Sequence, residues 1–159
     1  MVRIGSGRKR QARILVVDDE QIIALSLATI LEKSGYKVAK AFSGEEAVAT
    51  AACFEPDLLL TDISMGAMSG IEAATEIVAM VPECKVLFLS GHASMSGISE
   101  SASKRLVYSF ASKPLHPLDL LNTVAYMLSA VLMADEPAVR DPVKNFGNNW
   151  MMNLDPAQC

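Results

Sequence analysis

The chain has 159 residues, of which 51% are hydrophobic, 20% charged and 6% aromatic, which fits one globular domain and excludes a large multidomain assembly. Its three cysteines are odd in number and show no C-x-x-C spacing, so neither a disulfide framework nor a cysteine-ligated zinc site is predicted. The net charge of -4 hides an asymmetry, because the first thirteen residues contain five basic and no acidic side chains. The remaining, acidic body disfavours a nucleic-acid surface.

The basic start of the chain and its apolar stretches indicate where in the cell the protein is expected. Residues 1–11 are predicted to form a basic, flexible leader that is solvated rather than bound to nucleic acid. The basic start runs into only four apolar residues before acidic ones follow, which is not the pattern of a secretory signal. The longest nearly apolar stretch, 22–31, is too short to span a bilayer. We therefore expect a cytoplasmic protein in a reducing compartment, without membrane contact.

From residue 14 onward, short apolar runs alternate with longer segments of helical spacing. Uninterrupted runs of valine, isoleucine and leucine are typical of strands buried on both faces of a parallel sheet. Five strands are predicted, at 14–17, 38–41, 58–61, 86–89 and 107–111.

Helices are predicted between these strands. Gly35 follows the first at the place of a left-handed C-terminal cap. Ser43 and Glu46 form the S-x-x-E pattern of a capping box that starts the second. The third ends before Pro82. The apolar positions of the first are Ile22, Ile23, Leu27, Ile30 and Leu31, and those of the third are Ile71, Ala74, Ile77 and Val78.

The last third of the chain is less regular. The serine-rich segment 94–105 predicts a short or mobile helix. Pro117 suits the first turn of a final helix reaching about residue 133, with a buried stripe of Leu120, Leu121, Val124, Met127, Leu128 and Val131. Five strand–helix units with right-handed crossovers make a doubly wound parallel α/β sheet.

Residues 134–159 are predicted to be a tail without an output domain, because prolines and an asparagine-rich tract forbid continued helix. Trp150, Met151 and Met152 are predicted to form an apolar anchor, either for a partner or for docking onto the chain's own domain.

Polar residues follow four of the five predicted strands where each one ends: Asp18 and Asp19, Asp62, Ser90, and Lys113. Since the carboxyl ends of parallel strands share one edge of the sheet, these side chains should converge. Crowded carboxylates repel and need a cation, and an all-oxygen, partly hydrated site matches Mg²⁺. A lysine and a hydroxyl facing a carboxylate and a divalent ion can stabilise a transferring phosphoryl group, with Asp62 as the nucleophile that forms an acyl phosphate.

Five motifs in order resemble the receiver domain of two-component response regulators. They are I-L-V-V-D-D-E at 14–20, L-L-L-T-D-I-S-M at 58–65, Gly70, L-F-L-S-G-H at 87–92 and F-A-S-K-P-L at 110–115. The match covers about residues 12–133 and is specific because of the order and spacing of the motifs. It implies a flavodoxin-like (βα)5 sheet with strand order 2-1-3-4-5.

The resemblance also implies roles for single residues. Asp62 would be the phosphoacceptor. Asp19, Asp62 and the backbone carbonyl of Ser64 would bind Mg²⁺ or Mn²⁺ directly, with Asp18 assisting through water. Lys113 would contact the phosphoryl group, and the Lys113–Pro114 bond would be cis.

The same resemblance implies a switch and a route for water. Ser90 would be the switch hydroxyl and Phe110 the aromatic that turns inward behind it. Ser64 and His92 would line the path of the water that limits the lifetime of the phosphoryl group. Gly66 departs from the family, which commonly has proline there, so a looser loop is expected.

The leading hypothesis is a stand-alone receiver that accepts a phosphoryl group from a sensor histidine kinase or a histidine phosphotransfer protein and signals to an unknown downstream protein. A second copy of the chain is a further candidate partner. DNA is not an expected partner, because no DNA-reading module fits in the tail.

Two alternatives stay open. A magnesium-dependent phosphatase or phosphotransferase with an aspartyl-phosphate would need an acid two residues after the nucleophile, where this chain has Ser64. An unphosphorylated adaptor with the same fold is the other.

Overall fold

The computed structural model describes residues 10–91, 104–129 and 150–153. Within these ranges it is an α/β protein, as predicted. The strands are β1 (Arg13–Val17), β2 (Lys37–Ala41), β3 (Leu58–Asp62), β4 (Lys85–Ser90), β5 (Tyr108–Ser112) and β6 (Trp150–Asn153). The helices are α1 (Gln21–Lys33), α2 (Gly44–Phe54), α3 (Gly70–Met80) and α4 (Pro117–Ser129).

The strands form one sheet in the order β2-β1-β3-β4-β5-β6. The first five are parallel, which confirms the predicted order 2-1-3-4-5. β6 pairs with β5 in the antiparallel direction, and it lies in the segment that the sequence assigns to a tail. Its apolar run of three residues is too short to predict a strand. The pairing agrees with one of the two predicted roles of this run, which is docking onto the chain's own domain.

Alternate residues of the central strands build the two cores, because successive side chains point to opposite faces of a sheet. One core lies under α2 and α3 and includes Leu15, Val17, Leu59, Val86 and Phe88. The other lies under α1 and α4 and includes Ile14, Val16, Leu58, Leu60, Leu87 and Leu89. All of these side chains are buried, as expected for strands covered on both faces.

Among the apolar positions of α1, Ile22 does not face the core and is 80% exposed. The helix buries Ala24, Leu27, Ala28 and Leu31 instead. Two residues along a helix turn through about 200°, so a face centred on Ala24 and Leu31 leaves Ile22 in solvent. Ile23 and Ile30 lie at the margin of the core.

The helix ends follow local capping chemistry. Gly35 has a φ of 93° directly after the end of α1, which confirms the left-handed cap. At α2 the Ser43 side chain accepts a hydrogen bond from Glu46 N, but the Glu46 carboxylate accepts from Phe42 N, so the predicted capping box is only half formed. The reciprocal box is at α3, between Ser69 and Glu72, which have the same S-x-x-E spacing.

The remaining boundaries shift by a few residues. β5 begins one residue later than predicted, leaving Val107 38% exposed. α4 ends at Ser129 within the described range, and Val131 lies outside it. The helix predicted at 94–105 also lies outside the described residues, except for Lys104 and Arg105, which form a turn. None of the four helices is both long enough and apolar enough to cross a membrane.

The two described cysteines should differ sharply in reactivity. Cys84 is buried, whereas Cys53 is exposed, and burial raises the pKa of the Cys84 thiol to about 12. Because the thiolate is the reactive form, we expect iodoacetamide to alkylate native Cys84 about a hundredfold more slowly than Cys53. Peptide mapping before and after denaturation would measure this, and equal native rates would contradict the packing of Cys84.

Candidate phosphoacceptor site

Three carboxylates meet at the carboxyl edge of the sheet. Asp18 and Asp19 directly follow β1, and Asp62 ends the neighbouring β3. Carboxylate oxygens of the three lie within 4.8 Å of one another. Asp18 is completely buried and Asp62 is 8% exposed, while Asp19 faces solvent. The three carboxylates therefore converge as the strand order predicts, and the cluster is open to solvent on the side of Asp19.

Lys113 lies between the two buried carboxylates. Its Nζ is 2.7 Å from Asp18 Oδ2 and 3.2 Å from Asp62 Oδ2. Burial lowers the pKa of Lys113, but the hydrogen bond to Asp18 and the charge of Asp62 outweigh burial, so the net pKa is raised. The side chain therefore stays protonated across the physiological range and neutralises part of the negative charge.

The backbone around Lys113 holds the side chain in the site. Lys113 follows the last residue of β5, and its backbone N donates to the Ser90 carbonyl at 2.9 Å. The Lys113–Pro114 peptide bond is cis, as the resemblance implied. The end of β5 and the end of β4 are thus joined at the point where the lysine enters the site.

Close backbone contacts fix Asp62. Asp62 Oδ1 accepts from Ser64 N at 3.3 Å, and Gly70 N donates to the Ile63 carbonyl at 2.9 Å. A Cβ atom on Gly70 would lie 1.9 Å from the backbone oxygen of Asp62. Only glycine therefore lets the start of α3 approach the end of β3 so closely.

The loop between β3 and α3 is held at two points. Met65 is 6% exposed, while Ser64 and Gly66 face solvent. Met68 packs against the start of α2, where a Cβ atom on Gly44 would lie 2.7 Å from Met68 Cγ. The sequence analysis did not predict the Gly44–Met68 contact, since a glycine at this helix position carries no specific sequence signal of a long-range partner.

The two predicted switch residues occupy neighbouring strands. Ser90 ends β4, one residue beyond the partner of Asp62 in the strand register. Phe110 is half-buried in β5, and its ring lies 5.3 Å from that of Phe88 and 5.5 Å from that of Tyr108. Tyr108 is a buried member of this aromatic cluster that the sequence analysis did not single out, although its i, i+2 spacing from Phe110 predicts a shared face. His92 lies outside the described residues.

The donor set fits a hard divalent cation. Carboxylate oxygens are the preferred protein ligands of Mg²⁺, which usually keeps several waters, and the exposed Asp19 leaves room for them on one side. The cluster is chemically suited to a cation and a phosphoryl group together.

The sequence profile of the response regulator receiver domain family matches residues 14–125. The chain belongs to this family. Over 117 residues it is 35% identical to the chemotaxis protein CheY of Thermotoga maritima, a match that covers 71% of this chain and 97% of CheY. It is 36% identical over 118 residues to the response regulator receiver protein CpdR of Brucella abortus, covering 74% and 98% of the two chains.

Longer relatives and solved structures extend the comparison. The chain is 32% identical over 130 residues to the transcriptional regulatory protein YvrH of Bacillus subtilis but spans only 52% of its length. A CheY-like receiver domain structure from Methanospirillum hungatei has a TM-score of 0.70 and 31% identity, covering 77% of this chain and 98% of that one. The response regulator TrrA of Thermotoga maritima, solved in complex with Mg²⁺-BeF, has a TM-score of 0.64 and 31% identity, covering 74% and 99%. Receiver domains are phosphoacceptor signalling domains that bind Mg²⁺ at an acidic pocket.

Proposed function

We propose that Asp62 of this receiver domain accepts a phosphoryl group from the phosphohistidine of a sensor histidine kinase or a histidine phosphotransfer protein. The observation that carries the proposal is the position of Lys113, within hydrogen-bond distance of Asp62 and of the buried Asp18. A fixed ammonium group beside the carboxylate nucleophile can neutralise the negative charge on the oxygens of the incoming phosphoryl group.

The transfer makes one bond and breaks one. An Asp62 carboxylate oxygen attacks phosphorus, the P–N bond of the donor breaks, and the imidazole leaves with the electron pair and takes a proton. Lys113 Nζ donates hydrogen bonds to the phosphoryl oxygens. Mg²⁺ held by Asp18, Asp19, Asp62 and the Ser64 carbonyl would neutralise the charge that develops on those oxygens. The solved complex of TrrA with Mg²⁺-BeF supports this metal.

The product then changes the balance of two conformations. Ser90 donates its hydroxyl to a phosphoryl oxygen and Lys113 shifts its hydrogen bond toward the same group, while Phe110 turns further into the space behind β4. A dianionic group on Asp62 favours the state with these contacts and so shifts the population. The contacts of the Phe110 ring with Phe88 and Tyr108 support this part of the proposal, because a turn of Phe110 would change the packing of all three rings.

In this role the chain is a signalling domain rather than an enzyme that turns over substrate. The position two residues after Asp62 is Ser64, which cannot act as the acid and base of a phosphatase near neutral pH. Ser64 and His92 are proposed to set the lifetime of the acyl phosphate. The free thiols of Cys53 and Cys84 are in keeping with the reducing cytoplasm as the place of action.

We also propose that residues 12–133 act as a receiver whose signal is read by a separate protein. The near-complete coverage of CheY and CpdR supports this reading. A downstream protein then receives the signal by contact, with a second copy of the chain as another candidate partner.

Phosphoramidate tests the proposed donor chemistry, because it carries the P–N bond of a phosphohistidine in a small molecule. We expect incubation with phosphoramidate and Mg²⁺ to add one phosphoryl group per chain, as seen by intact-protein mass spectrometry. Hydroxylamine should remove the group, since it cleaves acyl phosphates. A hydroxylamine-stable adduct would place the group on another side chain and contradict the proposal.

Replacement of Lys113 by alanine should separate phosphoryl uptake from the switch. We expect Lys113→Ala to bind Mg²⁺ through the same three carboxylates but to lose most of the phosphorylation-dependent change, because no ammonium group contacts the phosphoryl oxygens. Amide hydrogen exchange of β4 and β5 with and without beryllofluoride would measure the change. Lys40→Ala, which removes a lysine paired with Glu32 at the surface, is the control, and an unchanged response in Lys113→Ala would remove Lys113 from the switch.

The raised pKa of Lys113 fixes the pH range of its ion pairs. A basic group whose pKa is higher in the folded state stabilises that state fully below its unfolded value, here 10.5, and the stabilisation is lost as pH rises through the folded value. The difference in unfolding free energy between wild type and Lys113→Ala should therefore stay constant from about pH 7 to about pH 9. Urea unfolding across this range measures it, and a loss of the difference within it would contradict the pairing.

A further inference from the structure

β5 would be an open edge of the sheet if the sheet ended at the fifth strand. An edge strand presents unpaired backbone N–H and C=O groups that another extended chain can bind. Here the chain's own β6 occupies that edge, outside the order implied by the resemblance. The register pairs are Tyr108 with Asn153, Ser109 with Met152, Phe110 with Met151, and Ala111 with Trp150.

This pairing lies beside the proposed switch. Phe110 is the register partner of Phe88 in β4 on one side and of Met151 in β6 on the other. β6 enters the sheet at Trp150, opposite Ala111, near the end of β5 that leads to Lys113. Phe110 lies within β5 and Lys113 directly follows it, so a backbone shift of β5 that accompanies their movement would act on the β5–β6 pairing.

The two sides of β5 are held unequally. The pairing with β4 has five register pairs and lies within the buried sheet, where Phe88 and Leu89 are at most 1% exposed. The pairing with β6 has four register pairs and lies at the margin. Short marginal elements open at lower free energy than central strands, so a strain in β5 is relieved first by loss of β6.

We propose that Trp150–Asn153 is an intramolecular ligand of the outer edge of β5 that leaves this edge when Asp62 is phosphorylated. The freed edge then accepts an extended segment of the downstream partner, which adds to the sheet as a strand. The proposal rests on the proposed function, because the phosphoryl group on Asp62 is the trigger. It gives the C-terminal segment an autoinhibitory role.

The chain carries its own reporter for the test, since Trp150 is its one tryptophan. On addition of acetyl phosphate or beryllofluoride with Mg²⁺ to the full chain, we expect the fluorescence anisotropy of Trp150 to fall. The amides of 108–111 that face β6 should exchange at least about tenfold faster. Asp62→Asn should show neither change.

A proline substitution within β6 should disrupt the strand without changing any residue of the Asp62 site. Met151→Pro removes a backbone donor and does not fit a paired strand, so it should show low Trp150 anisotropy and fast β5 exchange without any phosphodonor. Its phosphoryl uptake at Asp62 should be at least as fast as that of wild type, because release of β6 and phosphorylation favour each other. Ala157→Pro, which lies beyond the register pairs, is the matched control and should behave as wild type.

The outcomes separate this proposal from the one it rests on. A phosphoryl adduct on Asp62 with unchanged Trp150 anisotropy and unchanged β5 exchange would overturn strand release and leave the phosphoacceptor role intact. Slower exchange of β5 after phosphorylation would overturn it too, because the strand would then tighten. Absence of any adduct would contradict both proposals. Equal anisotropy of Met151→Pro and wild type before phosphorylation would show that the pairing does not hold the segment.

Discussion

Replacement of Asp62 by asparagine is expected to abolish phosphoryl incorporation from acetyl phosphate. The amide lacks the anionic oxygen that attacks phosphorus, and it also removes one of the three carboxylates of the cation site. We expect labelling, measured by intact-protein mass spectrometry, to fall at least about a hundredfold, the scale typical of losing an essential reacting group.

Asp57→Asn is the matched control for this prediction. Asp57 lies just before the opposite end of β3, where its carboxylate accepts hydrogen bonds from Arg10 and from the backbone of Arg13. The same chemical change there leaves the site untouched, so labelling should persist. Full labelling of Asp62→Asn would move the phosphoacceptor to another residue, and loss of labelling in both variants would point to a folding defect.

Gly70→Ala should have the largest effect on stability. The new Cβ atom would lie 1.9 Å from the backbone oxygen of Asp62 and 3.0 Å from Thr61 Oγ1, and backbone atoms cannot yield as a flexible side chain can. We expect a loss of about 3 kcal/mol in the free energy of unfolding in urea, at the upper end of typical overpacking costs. Phosphoryl uptake should fall with it, because the start of α3 positions the end of β3.

Gly66→Ala provides the comparison within the same loop. No atom lies within 4 Å of a Cβ built on Gly66, so this variant should change the unfolding free energy by less than about 0.5 kcal/mol. Equal stability of the two variants would contradict the close approach of α3 to Asp62.

The location of the site could be predicted because strand order and strand ends are local signals. Apolar runs mark β1, β3 and β4, and the carboxyl ends of parallel strands share one edge, so Asp18, Asp62 and Lys113 had to converge. The distances among them depend on packing. Lys113 Nζ lies closer to Asp18 than to Asp62, and no sequence pattern encodes this difference.

Three features escaped prediction for physical reasons. The exposure of Ile22 depends on how α1 rotates onto the sheet, an orientation in which Ala24 and Ala28 face the core. β6 depends on a free edge of β5, which is a property of the assembled sheet. The contact of Met68 with Gly44 joins segments that meet only after α2 and the loop after β3 are in place.

The most direct test of the central claim is the mass of the intact wild-type chain during incubation with acetyl phosphate, in Mg²⁺ and in EDTA, while consumption of the donor is followed. We predict a single phosphoryl adduct that forms only with the metal, is removed by hydroxylamine and reaches about one group per chain without extensive turnover of the donor. Absence of an adduct with an intact donor would contradict the phosphoacceptor role and favour an adaptor. Rapid consumption of the donor over many turnovers would contradict it in favour of a phosphatase.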